Sequence, residues 1–287
     1  MRKLAVAAWA LIGCAFSAPV PQSLGGGLYA YISDNDSSCN SVFLVGRDAI
    51  LVVDTGFDVS AGEKLLSAIR SVSSLPVRYI VNTHYHRDHQ AANGVVGPSS
   101  EVVSTIFTRE RTVAMLNQHL PDVRFRPASI AITDAADIYL DDRQIHLEFP
   151  GPAHTMGDLI VYFPAQKVVA TGDLFLNHSS PAMDKGSVLN WIHALEKMLS
   201  SPASTFVPGH FELGSRADLQ RFHDYLADLR DQISAGVAHG TPWEQIRQNL
   251  NTKRFSDFRQ FPNFHATFAD NAAVIYAELT QKNKEKH

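Results

Sequence analysis

Four side chains able to bind a metal ion fall within six consecutive positions of the segment Thr83-His84-Tyr85-His86-Arg87-Asp88-His89. His84 and His86 stand two apart, so an extended or tightly turned backbone projects both imidazoles the same way and offers two nitrogens to one ion. Asp88 and His89 then reach the other side, where they suit a second ion. Imidazole and carboxylate bind zinc at about 2.0–2.2 Å in four- or five-coordinate sites. Cys14 and Cys39 are the only cysteines, so no thiolate pairs exist and a His/Asp zinc site fits better than a structural cysteine site. Isolated histidines are ordinarily surface or satisfied core residues. His119, His146, His193, His223, His239, His265 and His287 are read that way, and the density at 84–89 sets that cluster apart.

Such a cluster needs rigid elements to hold it. Val77 to Val81 is an apolar run that reads as a buried strand delivering the chain into Asn82-Thr83-His84. Upstream, after Gly25-Gly26-Gly27, Leu28 to Ile32 reads as a short strand and residues 34–38 as a turn. Val42–Val45 and Ile50–Val53, separated by Gly46-Arg47-Asp48, read as a hairpin that ends at Asp54-Thr55-Gly56. Leu65, Leu66, Ile69 and Val72 give Ala61–Val72 a helical spacing. The second half repeats the theme, with strands expected at Gln144–Phe149, Leu159–Phe163, Lys167–Ala170 and Ser204–Val207 and a helix over Val188–Leu199. From Arg216 onward Leu219, Phe222, Leu226, Leu229 and Ile233 keep one helix face, and Trp243–Leu250 and Ala269–Leu279 read as further helices. No composition break divides the chain, so the pattern predicts a layered α/β sandwich folded as one domain.

The bulk composition narrows the function. The chain has 287 residues, 45% of them apolar and 19% charged, with a net charge of −4. An acidic chain without a basic stripe has no grip on a phosphate backbone, so nucleic acid is excluded as a partner and a small molecule is expected instead. Arg2 and Lys3 precede an apolar run, Leu4 to Ala15, and small residues follow at Ser17 and Ala18. This predicts an export signal over residues 1–18, a mature domain over 19–287, and a periplasmic or secreted location. The run is too short to span a bilayer as an anchor. Leu11-Ile12-Gly13-Cys14 resembles a lipobox, which would make Cys14 a lipid attachment point; cleavage near Ser17 or Ala18 is the preferred expectation. Beyond the signal Cys39 stands alone among apolar neighbours and reads as a buried small hydrophobe.

With these residues in place, the chain resembles the metallo-β-lactamase superfamily. Its resemblance runs from about Leu28 to His210 and extends past HxHxDH to Gly151-Pro152-Ala153-His154-Thr155, Thr171-Gly172-Asp173 and Pro208-Gly209-His210. It implies a four-layer αββα sandwich, here with a helical C-terminal segment from about residue 216. It also implies that His84, His86 and His154 hold a first zinc, that Asp88, His89 and His210 hold a second, and that Asp173 bridges them. Asp54, in Val53-Asp54-Thr55-Gly56, matches an early aspartate that supports the site.

The chemistry implied is hydrolysis by a hydroxide bridging two metal ions, with Asp88 orienting it and carrying a proton to the leaving atom. No Gly-x-Ser-x-Gly elbow is present to suggest a protein nucleophile. Iron accepts the same donors, so an iron-dependent oxidoreductase on the same fold is the alternative from another class. The stretch from Gly151 to Pro164 is similar to exported class B β-lactamases. Two positions depart from them: Asp173 stands where the best-known of those enzymes carry a cysteine, and Leu176 where they carry a lysine for the substrate carboxylate. Asp173 with HxHxDH resembles instead glyoxalase II and the lactonases. The expected reaction is therefore the opening of a small cyclic amide or ester, a β-lactam or a lactone, or thioester cleavage. Asn177, His178 and Lys185 read as a polar loop over the site rather than as substrate contacts. Phe57, Tyr85 and Trp191 read as core aromatics rather than a substrate wall.

Overall fold

The computed structural model describes residues 20–118 and 120–284. The expected leader with Cys14, and also His119 and His287, lie outside the described residues. Two sheets stack face to face. The first runs in sequence order through β1 (Gln22–Gly25), β2 (Leu28–Tyr31), β3 (Ser41–Val45), β4 (Ile50–Val53), β5 (Val77–Val81), β6 (Glu101–Thr105) and β7 (Ile130–Ile132). Its first four strands form an antiparallel meander, and β4 through β7 are parallel. The second sheet comprises β8 (Ala135–Leu140), β9 (Arg143–Glu148), β10 (Ile160–Phe163), β11 (Val168–Gly172), β12 (Thr205–Pro208) and β13 (Gly214–Ser215), in the order β13-β12-β11-β10-β9-β8. There only β11 and β12 run parallel.

Strand alternation builds three apolar layers. Val42, Leu44, Leu51 and Val53 point into the space between the sheets, where they meet Ile145, Leu147, Val161, Phe163, Val168 and Val207. The alternate residues Phe43, Ile50 and Val52 face outward and pack against Leu65, Ala68 and Ile69 of the helix α1 (Val59–Val72). Both faces of β3 and β4 are therefore buried, which is why these strands read as continuous apolar runs. The short helices α2 (Arg87–Gln90) and α3 (Asn93–Val96) follow β5, and α4 (Ile106–Met115) follows β6. On the far side, Ile160, Val169 and Phe206 of the second sheet are covered by Trp191, Ile192 and Leu195 of α5 (Val188–Ser200). Phe222, Leu226 and Leu229 come from α6 (Arg216–Ala238), whose N-terminus is closed by a Ser215–Asp218 capping box. Helices α7 (Trp243–Asn249) and α8 (Phe268–Lys284) complete this outer layer. The order is helix, sheet, sheet, helix, the expected αββα sandwich.

The helical C-terminal segment begins at Arg216 as expected, and it shares one apolar cluster with α5 and the second sheet. Several elements between residues 101 and 140 carry no signal in the sequence. Strand β8 exposes alternate residues and contains only two large apolar side chains, Ile138 and Leu140, besides its tyrosine; β7 has three residues. The glycine-rich stretch ahead of β2 also proves to be half of a hairpin, Gly25 closing β1 and pairing with Leu28. Among the described residues no helix is long and apolar enough to cross a membrane.

Candidate metal centre

The parallel strands deliver their following loops to one edge of the stacked sheets, and the metal-binding candidates lie there. His84 and His86 follow β5, His154 stands in the loop between β9 and β10, Asp173 follows β11 and His210 follows β12. Asp88 and His89 sit on α2.

His84, His86, His154 and Asp173 present ligand atoms that all lie within 4.8 Å of one another. His86 Nδ1 is 3.0 Å from His84 Nε2 and 3.2 Å from His154 Nε2. Three nitrogens around one tetrahedral zinc stand about 3.3 Å apart, given zinc–nitrogen bonds near 2.0–2.1 Å. The outward nitrogen of each ring has its own acceptor, which leaves the inward lone pair free for an ion. His84 Nδ1 donates to Thr83 Oγ1 at 3.1 Å, His154 Nδ1 to the Ala182 carbonyl at 3.0 Å, and His86 Nε2 to Asp184 Oδ2 at 3.3 Å.

Asp88, His89 and His210 form a second group within the same limit. His210 Nε2 is 3.0 Å from Asp88 Oδ2, and His89 Nε2 is 3.5 Å from the same oxygen. Asp173 faces both groups, with Oδ1 3.3 Å from His89 Nε2 and Oδ2 3.6 Å from His154 Nε2. His89 Nε2 and Asp173 Oδ1 are buried and lack any hydrogen-bond partner. Two buried atoms that stand 3.3 Å apart without forming a hydrogen bond are costly in an apolar interior and fit a pair of ion ligands.

Asp54 underlies the centre. Its backbone adopts φ 55°, a left-handed conformation that few non-glycine residues hold without strain. The carboxylate accepts from Thr83 N at 2.8 Å, Thr83 Oγ1 at 2.6 Å and His89 Nδ1 at 2.8 Å. One buried side chain thus orients His89 directly and His84 through Thr83. Glycines leave the room this requires. A Cβ on Gly172 would lie 2.5 Å from Thr83 Oγ1, and one on Gly209 would lie 1.9 Å from Asp173 Oδ1.

The field inside the centre divides its histidines. Burial, reinforced by neighbouring imidazoles, holds His84 well below the usual histidine range, and burial also lowers His154. Burial opposes charge on His89 and His210 too, but there the surrounding Asp88 and Asp173 carboxylates win and both are raised. Burial likewise works against ionised Asp88 and Asp173, yet the facing His89 and His210 hold both carboxyls below the usual range. Cys39 lies behind His89 and Asp54. It is buried as expected, and that burial pushes its thiol up, so it stays protonated and is a poor ligand.

The structure brings all seven expected residues together. It also shows supports that sequence reading did not assign: Thr83, Ala182, Asp184 and Asp158. Asp158 Oδ2 accepts from Ala153 N at 3.2 Å and Thr155 N at 2.8 Å, which shapes the loop carrying His154. Asp184 also accepts from the Tyr85 hydroxyl. His178 pairs with Asp257 at 3.1 Å and Lys185 is exposed, as in a polar loop, whereas Asn177 is buried and donates to the Leu213 carbonyl at 2.9 Å. Trp191 is fully buried and donates to the Leu174 carbonyl at 2.8 Å, with its ring 5.4 Å from that of His154. Leu176 is buried in the core beneath α5 and α6.

Residues 34–210 match the family model of the metallo-β-lactamase superfamily. The chain is 24% identical over 208 residues to the 2,4-dinitroanisole O-demethylase subunit alpha of Nocardioides sp. (strain JS1661), covering 70% of this chain and 62% of that protein. It is 41% identical over 254 residues to the linear primary-alkylsulfatase of Pseudomonas sp. (strain ATCC 19151), covering 70% of this chain but only 48% of that enzyme. Among solved structures, the stereoselective inverting sec-alkylsulfatase Pisa1 from Pseudomonas sp. superposes with a TM-score of 0.73 at 14% identity. That overlap takes in 90% of this chain and 50% of that one. The family match spans well over half of the sequence, and the chain belongs to the metallo-β-lactamase superfamily.

Proposed function

We propose that this member of the metallo-β-lactamase superfamily is an exported dinuclear zinc hydrolase that opens a small cyclic amide or ester. One observation carries the reading: the unpartnered, buried His89 Nε2 and Asp173 Oδ1 where two His/Asp groups meet across a shared carboxylate. In it, His84, His86 and His154 would hold one ion, Asp88, His89 and His210 the other, and Asp173 would serve both. Two zinc ions there would supply Lewis acidity at the scissile bond and a water of lowered pKa. Asp88 is half-buried and held ionised by His89 and His210, so at neutral pH it is a proton acceptor. It takes a proton from the attacking water and returns it to the leaving nitrogen or oxygen. Asp54 and Thr83 keep the imidazoles oriented throughout. Arg2, Lys3 and the apolar run Leu4–Ala15 support export.

A second substrate class is favoured by the likeness to alkylsulfatases, whose fold overlap extends over most of the chain, including helical segments beyond the family match. In that reading the same site cleaves a sulfate ester. Leu176 supplies no cation for a substrate carboxylate, which favours lactones or sulfate esters over β-lactams. The test is turnover by the purified zinc-loaded protein of a chromogenic cephalosporin, an acyl lactone and a medium-chain alkyl sulfate, each with and without a chelator. Chelator-sensitive opening of the lactone is the expected result, and opening of the cephalosporin also upholds a cyclic amide or ester as the substrate. Release of inorganic sulfate alone replaces the first reading with the second, and turnover that survives metal removal refutes both.

A further inference from the structure

The loop between β11 and α5 holds the first histidine group from behind. Its Ala182 carbonyl accepts from His154 Nδ1 and its Asp184 carboxylate from His86 Nε2. Residues 181–186 of this loop form no helix or strand. Beyond both sides of that stretch the loop is fastened by the C-terminal segment, all of which lies outside the family match. At the leading end, Arg259 N donates to the His178 carbonyl and Ser180 N to the Arg259 carbonyl, both at 2.9 Å. Asn271 Nδ2, on α8, donates to Ser180 Oγ and to the Tyr225 hydroxyl of α6, both at 2.8 Å. Asn271, Ser180 and Tyr225 are all fully or almost fully buried. At the trailing end, Glu278 of α8 accepts from Ser187 Oγ at 2.5 Å and from Val188 N at 2.8 Å.

An asparagine–serine–tyrosine network sunk among Phe255, Phe258 and Ile275 stabilises less than apolar packing of the same volume would, unless it fixes a specific geometry. The geometry fixed here is the position of Ser180, two residues ahead of the carbonyl that orients His154. We infer that the helical segment α6–α8 is a positioning device for the first metal group. Asn271 and Glu278 clamp residues 178–188 so that Ala182 and Asp184 hold His154 and His86 in ligand geometry. The inference rests on the metal-centre reading above and assigns no contact with substrate to these residues.

Cobalt(II) titration of the full-length protein, followed by visible absorption, reads the two ion sites separately. Asp184→Asn marks the band of the first group, because it touches His86 directly. Asn271→Leu removes the clamp donor at similar volume, Glu278→Ala removes the trailing acceptor, and Glu278→Gln restores an acceptor for Val188 N. Ile246→Ala serves as a control, since Ile246 is buried in α7 and takes no part in the hydrogen bonds of Arg259, Asn271 and Glu278 that fasten the loop. Outer partners of metal-ligating histidines are worth about 10–100-fold in affinity. Asn271→Leu and Glu278→Ala are expected to weaken the Asp184-marked site about tenfold, with Glu278→Gln recovering most of that loss. Ile246→Ala lowers the unfolding temperature and moves neither constant. If Asn271→Leu does not fold, Glu278→Ala and its rescue carry the test. Unchanged cobalt constants in the clamp variants, while Asp184→Asn weakens its site, overturn the clamp and leave the metal centre standing. A wild-type protein that takes up no cobalt overturns both.

Discussion

Asp54→Asn separates the electrostatic role of the buttress from its shape. The native carboxylate accepts three hydrogen bonds, two from Thr83 and one from His89 Nδ1. Asparagine tolerates the left-handed backbone that Asp54 occupies, so the turn survives. Its single carbonyl oxygen can still serve Thr83 N, but its amide then faces the Nδ1–H of His89, donor against donor. The metal-free protein is expected to lose about 1–2 kcal/mol, the cost of one buried donor left unpaired. The second ion loses the orienting partner of His89, and its affinity falls about 10–100-fold, equivalent to about 1.4–2.8 kcal/mol. Asp54→Ala goes further: all three buried donors lose their acceptor and alanine is strained at this φ, so the fold loses about 3–5 kcal/mol. Zinc titration against a competing chelator gives the affinities, and urea unfolding of the metal-free protein gives the stabilities. Wild-type affinity for both ions in Asp54→Asn would refute the assignment of Asp54 as the group that orients His89.

Three other perturbations bear on the centre itself. His86→Ala should abolish hydrolysis with little change in circular dichroism, and full retained turnover would remove His86 from the site. Gly209→Ala places a methyl 1.9 Å from Asp173 Oδ1, so that carboxylate must move; displacements of this size cost on the order of 100-fold in rate, and unchanged kcat/KM would show that Asp173 is not held as described. In the metal-free protein, the raised His89 and His210 contribute stability that is fully present below an unfolded value of about 6.5 and is lost as pH rises through their folded values. The lowered His84 and His154 act oppositely, costing stability as pH falls below that point. The metal-free unfolding temperature should therefore peak near pH 6.5, about the unperturbed histidine value, whereas the zinc-loaded protein should gain as pH rises because ions displace protons. A metal-free midpoint that climbs steadily to pH 9 would contradict these directions.

The strands that bracket the centre were legible because both of their faces are buried. β3, β4 and β11 are nearly unbroken apolar runs, whereas β5 exposes Arg78 and buries only Ile80 and Val81 at the end that enters the centre; the loops after β5 and β11 carry His84, His86 and Asp173. The HxHxDH segment declared itself by local density alone, while His154, Asp173 and His210 needed the family resemblance because each stands singly in its own loop. β7 and β8 stayed hidden for a physical reason: they lie towards the edges of their sheets, half exposed, with alanine and aspartate where an apolar alternation would have shown. Asp184 gave no signal because it meets His86 across 98 residues of sequence. Nothing in the run Pro181-Ala182-Met183-Asp184-Lys185 distinguishes a ring-holding carboxylate from ordinary loop polarity.

The pairing of ligands across the two sheets has a temporal consequence. His210 meets Asp88 across 122 residues, and Asn40 ties the loop before β3 to the Phe211 carbonyl across 171. Contacts this distant along the chain close last, after the entropy of long loops has been overcome. Neither sheet alone assembles either group of candidate ligands, so tight metal uptake would require the two halves to have docked. An ion bound at this edge would also tie the halves together, stabilising the docked state over the separated one by its binding free energy.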